Sequence, residues 1–301
     1  MRRQQTRFER LMRIRQMNTE NVINILRSKN LLLSYLECEA CMLPMVERSR
    51  KVLDGVCWVC TNANCYKFRT TKSIRTNSFF DKFRISLSDI FSVVILWSEG
   101  KNFSSIISNY GYTKEVLSRI ILKIRKIIKI YYDTEQIRLG GPGIVCQIDE
   151  SQFVHKVKHN RGRAPSSDIW VFGIADTSYS PSRCYMEIVP DRKAETLLPI
   201  IRKVCKSGTI IHSDCWKAYL NIERDLGFSH NTVKHKLYFV DPNSGVHTQN
   251  IESFWNKIKR VTKSMNGISK IRLPGLLSEL MFKDEFKSNI LSSFIFLIAV
   301  S

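Results

Sequence analysis

The chain has 301 residues, enough for one large domain or two to three smaller ones, and its 44% hydrophobic content supports a real core. Its 47 Lys and Arg stand against 27 Asp and Glu, which gives a net charge of +20 and a pI near 9.7. A surplus this large repels itself unless a polyanion accepts it, and its spread along the chain suits a long polyanion track better than one small ligand.

Residues 1–35 read as a basic helical arm, in which Arg7, Arg10, Arg13 and Arg15 interleave with Phe8, Leu11, Met12 and Ile14. This start is charged and lacks an apolar signal core, so the nine cysteines are expected in a reducing compartment, with metal rather than disulfides. Five of them fall between Cys38 and Cys65, in a segment, 36–80, with little periodicity and a turn at Asp54-Gly55. Cys38-x₂-Cys41 makes one knuckle, and the second side offers Cys57, Cys60 and Cys65. Four thiolates from two knuckles form a closed tetrahedral Zn²⁺ site, and a segment this poor in apolar residues needs such a staple. By spacing alone, Cys57 and Cys60 are the tidier second pair.

Residues 83–135 look all-helical. An apolar helix is expected at 87–97, a short one at 103–110 ended by Gly111, and a long one capped by Thr113 and running to about Tyr131. Val116, Leu117, Ile120, Ile121, Ile124, Ile127, Ile128 and Tyr131 share one face of the long helix, and Arg119, Lys123, Arg125, Lys126 and Lys129 the other. Short helix, glycine turn and basic second helix is the grammar of a helix-turn-helix, which makes Arg119, Lys123 and Lys126 candidate DNA contacts.

After the linker Gly140-Gly141-Pro142-Gly143 the period changes to that of strands, expected at 144–149, 153–157, 170–176 and 184–189. A helix at 193–206, a strand at 209–214, a helix at 216–226, a short strand at 237–240 and a helix at 248–265 follow. This order predicts an α/β domain over 144–285, a mixed sheet with helices on both faces. The apolar tail 286–301 is too short for a bilayer, which takes ~20 residues, and reads as an element docking on the core.

Three segments in this domain carry chemistry: Gln147-Ile148-Asp149-Glu150-Ser151, Ile211-His212-Ser213-Asp214-Cys215-Trp216, and His247 to Trp255. The first two place Asp149 and Asp214 at the carboxyl ends of strand-like runs, where open sheets bind ligands. The third places Glu252 in the first turn of a helix whose buried stripe is Ile251, Phe254, Trp255, Ile258, Val261 and Met265. Glu252, Asn256, Lys259 and Lys263 form a separate polar stripe, so a carboxylate that holds a metal is followed by lysines for the flanking phosphates. Hard carboxylate oxygens bind Mg²⁺ or Mn²⁺, and two such ions can hold both the attacking and the leaving oxygen of a phosphodiester. Taken singly, each acid could be a cap or a dipole partner; together on a strongly basic chain they point to DNA cleavage. The basic turn Lys156, Lys158, Arg161 and Arg163 is a candidate backbone grip, and His247 a candidate phosphate contact or proton carrier. His212, His230 and His235 read as structural.

The chain resembles DDE transposases of the Merlin superfamily and their bacterial insertion-sequence relatives, from about Cys38 to about Phe282. The resemblance is carried by Trp58-x-Cys60-x₄-Cys65, Ser73-Ile74-Arg75-x₂-Ser78-Phe79-Phe80, Gln147 to Ser151, Trp170-Val171-Phe172-Gly173, Ser213 to Tyr219, Phe239-Val240-Asp241-Pro242, and Gly245 to Glu252 with Trp255 and Lys259-Arg260. It implies an RNase H-like catalytic core, a zinc-binding N-terminal region and Mg²⁺-dependent cut-and-paste transposition, with the metal-binding acids at Asp149, Asp214 and Glu252. It also implies Cys60 and Cys65 as the second pair of zinc ligands, and Cys57 is an extra thiol beside them. The expected partners are double-stranded DNA, both terminal repeats and target, and further copies of the chain on that DNA; no membrane is expected. The expected place is the nucleus of a eukaryotic host or the nucleoid of a bacterial one. A non-catalytic DNA-binding derivative and a plain RNase H-like nuclease or resolvase are the alternatives; the intact acids count against the first, the separate DNA-binding segments against the second.

Overall fold

The structure, a computed structural model, describes residues 16–153, 169–234, 237–265 and 267–300. The arm residues before 16, the basic turn with Lys156, Lys158, Arg161 and Arg163, and His235 lie outside these. The chain divides into two compact units, one of residues 1–123 with 288–301, the other of residues 124–287.

In the first unit, helix α1 (Thr19–Ser28) is capped by Asn18, whose side chain accepts from the Asn21 amide at 2.8 Å. Strands β1 (Val46–Ser49), β2 (Val56–Val59) and β3 (Thr71–Ser73) form an antiparallel sheet in that order, so the cysteine segment has regular structure that its sequence period did not announce. The sheet is bolted from below. Arg75, just past β3, donates to both carboxylate oxygens of Asp54 at 2.6 and 2.5 Å and to the Phe83 carbonyl at 3.0 Å. Helix α2 (Leu87–Ser98) is buried nearly all round, which is why it carries almost no charge. Helix α3 (Phe103–Tyr110) ends on Gly111 at φ 73°, a left-handed cap that a side chain rarely adopts. Helix α4 (Lys114–Thr134) follows, and the division between units falls within it.

The second unit is built on a mixed sheet of β4 (Val145–Phe153), β5 (Ile169–Asp176), β6 (Arg183–Val189), β7 (Ile210–Asp214) and β8 (Ser229–Val233), ordered β6-β5-β4-β7-β8. β4–β5 and β5–β6 are antiparallel; β4–β7 and β7–β8 are parallel. Side chains alternate between two cores. Cys146, Ile148, Phe172, Ile174 and Ile211 face helix α5 (Ala194–Val204), and Ile222 of the short α6 (Ile222–Leu226) joins them. Val171, Ala175 and Met186 face α7 (Gln249–Ser264) and α8 (Leu273–Glu285).

Four expectations are corrected. β4 does not stop at Asp149: it runs on to Phe153, because its pairing with β5 continues through Glu150, Ser151 and Gln152. The helix expected over 216–226 is broken into a 3-10 turn, Lys217–Tyr219, and α6. Residues 237–240 are not a strand; the edge strand is β8, and only Val240 bridges, to His247. Arg125, placed by the helix wheel on the outer face of α4, is buried and donates to Glu279 of α8 at 2.6 Å. Gly275 opens the space: a Cβ there would lie 3.2 Å from that of Arg125.

In the first unit, helix α9 (Ile290–Leu297) buries Phe294 edge-on against Trp97 and Phe79, with ring centroids 5.1 and 5.7 Å away. No helix among the described residues is long and apolar enough to cross a membrane.

Candidate functional site

The register between β4 and β7 assembles the acids. Val145, Cys146 and Gln147 pair with Ile210, Ile211 and His212, and the same register carried two residues further brings Asp149 and Asp214 near enough for the Asp214 charge to act on Asp149. Both lie on the sheet face opposite Cys146, Ile148 and Ile211, because side chains alternate. That face is covered by α7. The Gln147 side-chain oxygen accepts the amides of Asn250 at 2.8 Å and Ile251 at 3.3 Å, and its nitrogen lies 3.1 Å from His247 Nδ1. Further along, the Trp255 indole donates to Asp149 Oδ2 at 2.9 Å.

The close approach depends on Gly173, which pairs with Asp149 across β4–β5. A Cβ there would lie 2.7 Å from both Ile251 and Trp255. Glu252 sits in the first turn of α7, where the helix dipole favours a carboxylate, and accepts the Thr248 hydroxyl at 2.9 Å. Asp214 Oδ1 accepts the Trp216 amide at 2.9 Å.

A second cluster lies in the first unit. The sulfurs of Cys38, Cys41, Cys60 and Cys65 all lie within 4.8 Å of one another. Cys38–Cys65 and Cys41–Cys60 are each 3.9 Å apart, far beyond a disulfide bond. A tetrahedral site with Zn–S near 2.3 Å has edges of about 3.8 Å, so the spacing and the donor chemistry fit one zinc ion. The Ala40 and Cys41 amides donate to Cys38 and bring its thiol down to about 6, while burial pushes Cys60 up to about 12. Cys57 is buried within β2 and is outside the cluster; strand alternation turns it away from the direction Cys60 takes.

With this geometry in view, comparison with known proteins is specific. Residues 143–285 match the ISXO2-like transposase domain. A transposase-like protein of Haemophilus influenzae (strain ATCC 51907 / DSM 11121 / KW20 / Rd), itself uncharacterized, is 32% identical over 113 residues, 36% of this chain and 88% of that relative. The chain belongs to the ISXO2-like transposase family. Among solved structures, a cryoEM structure of the simian T-cell lymphotropic virus intasome with PP2A regulatory subunit B56 gamma overlaps 68% of this chain and 67% of its own at 16% identity. Its TM-score of 0.27 is too low to carry an argument.

The electrostatics of the transposase domain follow from this placement. Burial pushes the Asp149 carboxyl up to about 6, against the Trp255 indole, and the nearby charges of Asp214 and Glu252 push the same way. Carboxylates gathered in this way make a natural seat for a cation. Glu150 points to the other face, where burial pushes it up to about 7 although the Tyr219 hydroxyl donates to it. His212, beneath Asp214 on the α7 side, is held below its ordinary value by burial, and its Nδ1 has no partner. His230 is likewise lowered by burial and bonds Ser213 at 2.8 Å.

The basic candidates separate. Arg119 and Lys126 are exposed on α4, and Lys259 and Lys263 on α7. Lys123 is half-buried: its ammonium donates to the Asp81 carbonyl at 3.2 Å and sits over the Phe79 and Phe83 rings. Arg192, not anticipated from sequence, is sandwiched between the Trp170 and Trp216 indoles, 4.1 Å from each centroid. Gln147, Gly173 and Trp255 were also missed as parts of the site. Each stood inside a quoted motif, and a polar residue two before Asp149 in a buried run was the available signal.

Proposed function

We propose that the protein cuts DNA strands at the ends of a mobile element and joins them to a target, with Asp149, Asp214 and Glu252 as the ligands of two divalent ions. The observation that carries this reading is the β4–β7 register, which sets Asp149 beside Asp214 under the helix that bears Glu252. An RNase H-like core is the architecture this reading requires. Its support is the sheet itself: three antiparallel strands first, then two parallel additions on the far side of β4. The narrower likeness to Merlin elements rests on the motifs quoted above and stays part of this proposal.

Bound Mg²⁺ or Mn²⁺ would activate the attacking oxygen and stabilise the leaving one. The chain's own residues do the rest. Trp255 holds Asp149 in place through its indole N–H, Thr248 holds Glu252, and the Trp216 amide holds Asp214. Such preset orientation removes the entropic cost of gathering three mutually repelling acids. Lys259 and Lys263, further along the exposed side of α7, would take flanking phosphates, with Arg119 and Lys126 as further backbone contacts. The four thiols would hold one structural zinc, remote in chemistry from the acids.

The test is cleavage of a labelled DNA duplex with Mg²⁺ or Mn²⁺. Asp149→Asn, Asp214→Asn and Glu252→Gln should each fall to background while DNA binding persists. Full cleavage by any one of them removes that residue from the site.

A further inference from the structure

Residues 237–240, Leu-Tyr-Phe-Val, are four consecutive apolar side chains exposed at 66, 47, 76 and 42%. A run of this kind on a solvated surface costs solubility unless something covers it. It is not a loose tail. The Leu237 and Tyr238 amides both bond the Lys234 carbonyl, at 2.8 and 3.0 Å. At the other end Val240 bridges His247, and the Asp241 amide bonds the Val246 carbonyl at 2.9 Å. The Asp241 carboxylate ties the tip by accepting from Asn243 and Ser244 at 3.0 and 2.9 Å. The stem ends on His247, which lies against Gln147, two residues short of Asp149. The apolar run is therefore tied by backbone bonds at both ends, on a stem that reaches the strand bearing Asp149.

The candidate occupants differ in size and chemistry. The four side chains offer on the order of 450 Å², against the ~800 Å² that a stable interface takes from each partner. A second copy of the chain is poorly served by so small a patch. A nucleobase is small enough to seat on part of it and offers a π face to Tyr238 or Phe239, and the chain's charge of +20 favours DNA as the polyanion it meets.

We infer that residues 237–240 form a base-stacking platform, on which Tyr238 and Phe239 receive a base unpaired from the strand whose phosphate lies at the acids. The inference rests on the DNA-cutting reading above.

The test uses the full chain and two fluorescent probes of one arbitrary sequence, without Mg²⁺ or Mn²⁺. One is a paired duplex; the other has three unpaired nucleotides at one end, with 2-aminopurine among them. The wild type should favour the unpaired end by roughly tenfold, the worth of one base–aromatic stack, and quench its 2-aminopurine. In the double variant Tyr238→Ala/Phe239→Ala the ratio should fall to about one, whereas Phe239→Trp should keep it. Leu220→Ala, exposed elsewhere on the same unit, should behave as wild type. Equal binding of both probes by the wild type, or a preference that survives the double variant, overturns the inference. So does a wild type that sediments as a dimer without DNA and becomes monomeric in the double variant. If acid-dependent cleavage stands while the preference is absent, the platform alone fails; if neither probe is bound, the DNA-cutting reading fails with it.

Discussion

The two clusters that could hold metal are built in opposite ways. The thiol site draws its four ligands from one stretch, Cys38 to Cys65, and its own backbone amides point at the sulfurs. The acid site gathers Asp149, Asp214 and Glu252 from across more than a hundred residues, and only sheet register and one covering helix bring them together. The first is a local staple with soft donors; the second is a product of the whole unit, with hard donors that repel one another. Damage should therefore stay local in the first and spread from far away in the second.

The largest effect should come from the staple. Structural zinc sites in small peptides contribute apparent free energies of about 10–16 kcal/mol, so Cys65→Ser should lose the zinc and unfold residues 36–80. Metal stoichiometry with near-UV circular dichroism checks this, and a zinc that survives Cys65→Ser breaks the assignment of that ligand.

Next comes the buried ion pair between α4 and α8. Arg125→Ala leaves buried Glu279 with Lys283 as a partner but without its guanidinium, which should cost about 3 kcal/mol, the low end for breaking a buried pair, in urea unfolding. Burial alone would raise the Glu279 carboxyl, but Lys283 and Arg125 overcome it and hold it down to about 2. The folded value is thus below the unfolded one of about 4.3, so ionised Glu279 stabilises fully above that pH. The contribution should drain as pH falls from about 4 towards 2, and Glu279→Gln should flatten that part of the pH–stability curve.

A smaller and more telling change is Gly173→Ala. It removes no acid, yet its methyl meets Ile251 and Trp255 at 2.7 Å, an overpacking worth about 1–3 kcal/mol. Metal-dependent cleavage should fall sharply as α7 is pushed off the sheet, while zinc content stays at one per chain. If cleavage is unchanged, the acid site tolerates more slack than its geometry implies. The smallest effect belongs to Cys57→Ser, which should retain zinc and shift stability by about 1 kcal/mol at most. Zinc loss in that variant would hand the fourth ligand to Cys57.

Legibility in the sequence tracks the same contrast. The thiol pairs could be read because ligand spacing is local, although the choice between Cys57 and Cys65 needed a resemblance, and strand alternation supplies its physical reason. α3, α4 and α7 were readable from caps and apolar stripes. β8 was not, since Ser-His-Asn-Thr-Val is a polar edge strand with no pattern to announce it. The apolar run at 237–240 imitated a strand because apolar content signals burial only when neighbours exist. The approach of Asp149 to Asp214 follows from the register of the strands that bear them, which no single segment encodes. Arg125 misled the helix wheel because a basic residue on an outer stripe gains a buried partner only from a distant helix.

The double grip of β4 on α7 has one more consequence. Gln147 holds the helix at Asn250 and Ile251, and Asp149 holds it at Trp255. Two residues of strand advance about 6.6 Å, and four to five residues of helix advance about 6–7.5 Å. The two lengths are commensurate, so strand and helix act as matched rulers clamped at both ends, and Glu252 is carried between the clamps. One residue inserted between Ile251 and Trp255 would swing everything after it by about 100° and unclamp one end. Drift in length is therefore forbidden in the five positions that follow Asn250.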